Sequence, residues 1–206
     1  MILETISVGS LEVNCYILAQ KENSRAIVID PGAQARKINK VLDKFKLKPA
    51  LIIHTHGHYD HIGADNELGV QVYAHKLDAP LLKDAMLNMS GLFSLPYTVK
   101  SEIKLLEDNQ LIELDGVELK VLHTPGHTAG GIALVMQKPE KGIAFTGDTL
   151  FCHGIGRSDL ASGNQALLIK SIKERLFTLP DDTKIYPGHG KSSSIGEEKK
   201  NNPFLS

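Results

Sequence analysis

Four potential metal ligands fall within six residues, His56-Gly57-His58-Tyr59-Asp60-His61, directly after the short apolar run Ala50–Ile53. Burying that many polar side chains together without a cation is costly. A chain carrying this block is therefore constrained to fold around an ion at the end of a buried strand. Three further short sequences repeat the design. Thr124-Pro125-Gly126-His127, Thr146-Gly147-Asp148 and Pro187-Gly188-His189 each follow a strand-like run and set a glycine just before a candidate ligand. Glycine tolerates backbone angles that turn a side chain inward at a strand end, and it lacks the Cβ that would obstruct close approach. Strands often end in glycine turns, and the chain has 18 glycines. Four such turns in front of ligand-type residues, counting Gly57, are too many to assign to chance.

The ligand types narrow the ion. Imidazole and carboxylate suit zinc, iron, manganese or cobalt, and the lack of thiolate argues against a structural cysteine-rich zinc site. His56 and His58 alternate and can reach one ion, while Asp60 and His61, past the turn, can reach another. The only cysteines, Cys15 and Cys152, form no CxxC pair and read as two small buried thiols in a reduced compartment. The start, Met1-Ile2-Leu3-Glu4-Thr5, lacks the basic and apolar stretches of a signal peptide, so the expected location is the cytoplasm.

Around these loops the chain reads as mixed α/β. Ile2–Val8, Val13–Ala19 and Ala26–Asp30 form a strand meander that Pro31-Gly32 ends. Gln34–Lys46 carries Ile38, Val41, Leu42 and Phe45 at helical spacing. Val70–Ala74 reads as a strand and Leu77–Met89 as a helix, with an irregular apolar stretch up to Tyr97. Asp115-Gly116 between Leu111–Leu114 and Val117–Leu122 is a two-residue hairpin signal. Ile132–Met136, Gly142–Thr146 and Lys184–Tyr186 are further strands, and Gln165–Leu176 a helix. Ser194 and Glu197 make a capping box for a last one. No linker divides residues 1–206, so one domain is expected, with two sheets covered by outer helices. A net charge of −1 gives no electrostatic case for nucleic acid or an anionic membrane, and no apolar run approaches a membrane span. A small-molecule partner is expected; the sequence leaves the oligomeric state open.

The run Thr55-His56-Gly57-His58-Tyr59-Asp60-His61, with Thr124-Pro125-Gly126-His127-Thr128, Gly147-Asp148-Thr149 and Gly188-His189, resembles the metallo-β-lactamase superfamily over the whole chain. The resemblance implies an αββα four-layer sandwich with the site along one edge of the two sheets. It assigns His56, His58 and His127 to a first metal and Asp60, His61 and His189 to a second, with Asp148 bridging. Two divalent ions are implied, zinc first, with iron or manganese as alternatives. A narrower likeness follows. Phe145–Phe151 with Gly156-Arg157-Ser158-Asp159 is similar to the glyoxalase II branch, the hydroxyacylglutathione hydrolases. Val13-Asn14-Cys15-Tyr16 and Glu198–Phe204 are similar to its small bacterial members. The Gly-Arg-x-Asp stretch is shared with persulfide dioxygenases. Full-length glyoxalase II carries a helical C-terminal domain with glutathione contacts, whereas only Gly190–Ser206 follow the last ligand here. Weak discrimination among thiol carriers is therefore expected.

The chemistry implied is a binuclear metal-dependent hydrolase of thioesters. Metal binding lowers the pKa of water towards about 7, which makes hydroxide available as the nucleophile, with Asp60 or Asp148 steering its proton. The alternative is an oxidoreductase, a persulfide dioxygenase with one iron; a nuclease on the same fold ranks below both. The apolar segment from Leu87 to Tyr97 is expected to overhang the site as a lid, with Phe93 in contact with substrate. Arg157 is a second candidate for substrate contact, read more simply as a structural pair with Asp159. His54 and His123 are expected beside the ligand loops without being ligands, and His75 and His153 on the surface or in loops.

Overall fold

The computed structural model describes residues 1–205 and shows two six-stranded sheets packed face to face. The first sheet comprises β1 (Ile2–Val8), β2 (Val13–Ala19), β3 (Arg25–Ile29), β4 (Lys48–Ile53), β5 (Gln71–His75) and β6 (Ile103–Leu106), in that spatial order. The second holds β7 (Leu111–Leu114), β8 (Val117–His123), β9 (Ile132–Lys138) and β10 (Ile143–Gly147). A small hairpin, β11 (Leu150–Phe151) with β12 (Gly154–Ile155), precedes β13 (Lys184–Pro187) and β14 (Ser193–Ser194), which complete the second sheet beyond β10. Along β3, Ile27 and Ile29 face the second sheet while Ala26 and Val28 face outward, the alternation of a strand buried on both faces.

Three apolar layers follow from that alternation. Between the sheets, Tyr16, Leu18, Ile53, Val121, Leu134 and Phe145 interlock. Outside the first sheet, Ile38 and Leu42 of α1 (Ala35–Lys44) pack on Ile17 and Ile52. Outside the second, Leu168, Ile172 and Leu176 pack on Ala144 and Ile185. The result is the expected four-layer αββα sandwich. No helix among the described residues is long and apolar enough to cross a membrane.

Several local expectations shift. The first helix is shorter than Gln34–Lys46 because Gln34 and Lys46 both take left-handed φ, 55° and 53°. Tyr59–Ile62 (α2) and Asp65–Leu68 (α3) are single helical turns after the ligand block. Instead of one helix over Leu77–Met89, only Ala79–Lys83 (α4) is helical. Asn88 and Ser90, which hydrogen-bond to the Tyr97 backbone, then fold the chain back as a compact loop. β6 was not foreseen, since Leu105 is exposed on this edge strand and the alternation is blurred. The fifth helix runs as α-helix over Gln165–Ser171 (α5) and as π-helix to Leu176, and α6 spans Ile195–Asn201. His75 is buried, contrary to the surface expectation, with its ring stacked 4.1 Å from His123. Cys15 is buried as expected, whereas Cys152 is half-exposed.

Candidate metal centre

The ligand-bearing loops leave β4, β8, β10 and β13 at one common edge, so both sheets contribute. His56 and His58 come from the turn after β4, and His127 from the turn after β8. His58 Nδ1 lies 2.9 Å from His127 Nε2, which lies 3.2 Å from His56 Nε2. All three rings are buried. Burial first, then the neighbouring rings, lower the basicity of His56 well below the histidine range and push His58 down to about 3. Three imidazole nitrogens facing one point are a donor set for a cation.

Asp60, His61 and His189 form a second group, with their ligand atoms within 4.8 Å of one another. His189 Nε2 is 3.5 Å from both Asp60 Oδ2 and Asp148 Oδ2. Asp148 lies between the two groups, with Oδ1 3.5 Å from His61 Nε2 and Oδ2 3.7 Å from His127 Nε2. Such separations are long for hydrogen bonds. They are close to the roughly 3.4 Å between two ligands each about 2.1 Å from a tetrahedral ion. His61 Nε2 and Asp148 Oδ1 are buried and have no hydrogen-bond partner. Unpaired buried polar atoms are expensive, and a divalent ion in each group would satisfy them. The residues fit the metals that the sequence implies.

For four of the five rings, the far side fixes which nitrogen faces the centre. Thr55 Oγ1 donates to Asp30 Oδ2 at 2.6 Å and lies 3.2 Å from His56 Nδ1, leaving Nε2 of that ring as the donor atom. His61 Nδ1 lies 3.0 Å from the same Asp30 oxygen. His127 Nδ1 donates to the Arg157 carbonyl at 2.7 Å, and His189 Nδ1 to the Leu11 carbonyl at 2.9 Å. His54 is buried between Asp65, 2.7 Å from its Nε2, and Asp30. Burial opposes its charge, but the two carboxylates win and push it up to about 9.

Sequence reasoning missed Asp30, Asp65 and Asp78. Asp78 is fully buried and accepts from Gly57 N at 2.9 Å, Thr128 Oγ1 at 2.7 Å and Gly130 N at 2.6 Å. It thus ties the loop of His56 and His58 to the loop of His127. The one available signal was position: Asp30 directly follows β3, which pairs in parallel with the ligand-bearing strand.

Glycine serves the ligands in two distinct ways. Gly126 has φ +136°, and an added Cβ would meet the Leu168 backbone at 2.3 Å. Gly188 has ordinary angles, but a Cβ there would lie 2.1 Å from Asp148 Oδ1. Close approach, beside unusual geometry, is therefore what the ligand turns require.

The centre opens into a cleft of about 290 Å³ walled by Leu11, Tyr59, Met89, Phe93, Arg157 and Leu160. The irregular segment after α4 overhangs it, and the Phe93 ring packs 5.2 Å from Tyr59. Arg157 also reaches the cleft wall, while its guanidinium makes a two-pronged exposed pair with Asp159 at 2.8 Å. Cys152, His153 and Glu198 also come together away from the cleft. There, Ser193, Asn202 and the His153 amide occupy both Glu198 oxygens.

The sequence model of the metallo-beta-lactamase superfamily matches residues 8–189. Hydroxyacylglutathione hydrolase GloC of Haemophilus influenzae is 36% identical over 211 residues, covering 100% of this chain and 98% of that protein. The BLEG-1 B3 metallo-beta-lactamase superposes with a TM-score of 0.91 at 34% identity, covering both chains completely. TTHA1623, solved in a di-iron-bound form, superposes with a TM-score of 0.84 at 33% identity, over 98% of this chain and 100% of that one.

Proposed function

The chain belongs to the metallo-beta-lactamase superfamily, and from that premise we propose that it is a two-metal thioester hydrolase of the glyoxalase II-like kind. The observation that carries this is the paired donor set, His56, His58 and His127 beside Asp60, His61 and His189, with Asp148 between them. When bound, divalent ions there would lower the pKa of water and polarise a carbonyl. The likeness to GloC supports the thioester as substrate.

The chain's own residues fit that chemistry. The cleft wall carries no serine, threonine, cysteine or lysine side chain, and its carboxylates and imidazoles are the candidate metal ligands, which favours water as the attacking group. Asp60 and Asp148 each turn an Oδ2 towards His189 at the cleft, where a carboxylate can take the proton that water gives up. Burial opposes ionisation of Asp60, but the surrounding histidines hold it down at about 2. A thiolate leaves with a pKa of roughly 8.5 and needs no strong acid. Tyr59 is the only wall residue with an O–H, and burial raises its pKa further. An alkoxide or amine leaving group would be poorly served.

The direct test is elemental analysis of metal-replete protein beside parallel assays of glutathione, coenzyme A and simple alkyl thioesters. About two equivalents of metal per chain and turnover of several thioesters are expected. A β-lactam hydrolysed while every thioester is inert would move the reading to the activity named for BLEG-1. One equivalent of iron with oxygen uptake on glutathione persulfide would move it to a dioxygenase.

Phe93 offers a second check. Its side chain is 55% exposed and overhangs the cleft. Phe93→Ala should raise KM about 5- to 30-fold, as loss of roughly 1–2 kcal/mol of uniform binding implies, with kcat little changed. Stability should move by no more than about 0.5 kcal/mol, as for most surface substitutions. A large drop in Tm with unchanged KM would make the segment a structural connection.

A further inference from the structure

A second cavity, of about 230 Å³, lies on the other side of Tyr59 from the metal cleft, between the Gly9-Ser10-Leu11 turn and the segment carrying Leu95 and Tyr97. Leu11, Tyr59 and Asp60 line both spaces, which sets the second cavity beside the candidate metal centre. We propose that this cavity is a subsite for an aliphatic chain, and that it receives the acyl half of the substrate while the thiol half occupies the metal cleft. The inference rests on the thioester reading above.

The walls decide the class of occupant. Val8, Val13, Ala33 and Leu95 supply an apolar surface, and Asp60 is the only charged residue among the lining groups. The wall's polar side chains are largely engaged within the protein. Tyr97 Oη accepts from the Asn66 amide at 3.0 Å, and Ser90 Oγ accepts from the Tyr97 amide at 2.9 Å. Ser10 sits exposed at the mouth. With no cationic side chain in the wall, an anionic group would lose hydration and gain no ion pair. Glutathione carries its carboxylates only a few bonds from sulfur, so they would find no partner there. An alkyl chain loses nothing by entering.

Size and exposure agree. At about 30 Å³ for each water-sized group, the cavity holds roughly seven methylene-sized units. Leu95 is 71% exposed and Leu11 49% exposed, so two leucines stand in water at the rim of an apolar hollow. A chain seated there would cover both. Because Leu11, Tyr59 and Asp60 wall both cavities, a carbonyl held at the metal centre has a hollow on either side of it, one for its acyl carbons and one for its sulfur.

The test uses acyl thioesters of N-acetylcysteamine from acetyl to octanoyl. In parallel it uses ketone analogues, in which a methylene replaces the thioester sulfur so that hydrolysis cannot occur, measured by calorimetry on metal-loaded protein. Each sheltered methylene should tighten analogue binding about fourfold, from about 0.8 kcal/mol per buried CH₂, until the cavity is full. Leu95→Asp places a charge at the rim on an exposed residue, and Ala33→Phe fills the interior. Both should cut the octanoyl-to-acetyl ratio of analogue affinity at least tenfold, and Leu95→Asp should keep the parent Tm.

A flat chain-length profile in the parent protein would overturn the subsite, even if every thioester is turned over. So would an unchanged ratio in folded Leu95→Asp. Dimerisation that buries the hollow and excludes the long analogue would overturn it as well. Chain-length-dependent analogue binding without hydrolysis of any thioester would instead keep the subsite and sink the hydrolase reading.

Discussion

Asp148→Asn is expected to abolish most turnover and to reduce bound metal from about two equivalents towards one. The carboxylate faces His61 with one oxygen and both His127 and His189 with the other. An amide of the same size keeps the packing but brings no negative charge between the two donor groups. Removing one member of a buried charge set costs about 3–5 kcal/mol. Taken out of metal binding at 1.36 kcal/mol per factor of ten, that is a loss of roughly 10²–10⁴ in affinity for the second metal, and turnover falls with it. Metal content and kcat should fall together, while circular dichroism of chelator-treated protein stays like that of the parent. Parent-like turnover with two metals bound would show that Asp148 does not join the two groups.

Asp78→Ala should give the largest loss of stability among substitutions outside the ligand set. Three donors, two of them backbone amides of the ligand loops, lose their acceptor at a fully buried point. Each unsatisfied donor costs about 1–3 kcal/mol, so a total of at least about 3 kcal/mol is expected in chelator, read from denaturant midpoints. Metal affinity should also weaken by roughly 10–100-fold, the range seen when outer supports of metal ligands are removed. Asp78→Asn keeps one acceptor oxygen and should recover part of both losses. If Asp78→Ala keeps its stability yet loses metal, the carboxylate acts on the ions and not as a tie between loops.

The seven candidate ligands could be read from the chain because each stands in a short motif whose spacing is local. The hairpin at Asp115-Gly116 was legible for the same reason: both residues take left-handed φ, 49° and 87°, which that dipeptide favours. The supporting carboxylates were not. Asp30 acts on Thr55 and His61, and Asp78 on Gly57, Thr128 and Gly130, across distances in sequence that no window covers. The segment after α4 failed for a related reason. Its shape comes from Asn88, Ser90 and Lys83 bonding to the backbone of residues 97–101, which competes with continuation of the helix. Helical spacing in Leu77–Met89 reported which residues are apolar and not which backbone bonds prevail.

His189 reaches the centre only because the ends of two distant strands are sewn together. Asn14 donates its side-chain amide to the Pro187 and Gly190 carbonyls, the Asn14 backbone amide donates to the Gly188 carbonyl, and Val13 bridges to His189. Asn14 and Pro187 are 173 positions apart, so this seam closes one of the longest loops in the chain. Loop closure is entropically expensive, and non-local contacts of this kind slow folding. The six-residue block from His56 to His61, by contrast, comes together as soon as one strand and one helical turn exist. In the order of assembly, the first trio therefore waits for His127 alone. Chain topology predicts that the second forms only when β2 meets β13, which φ-values near zero for Asn14 substitutions would bear out.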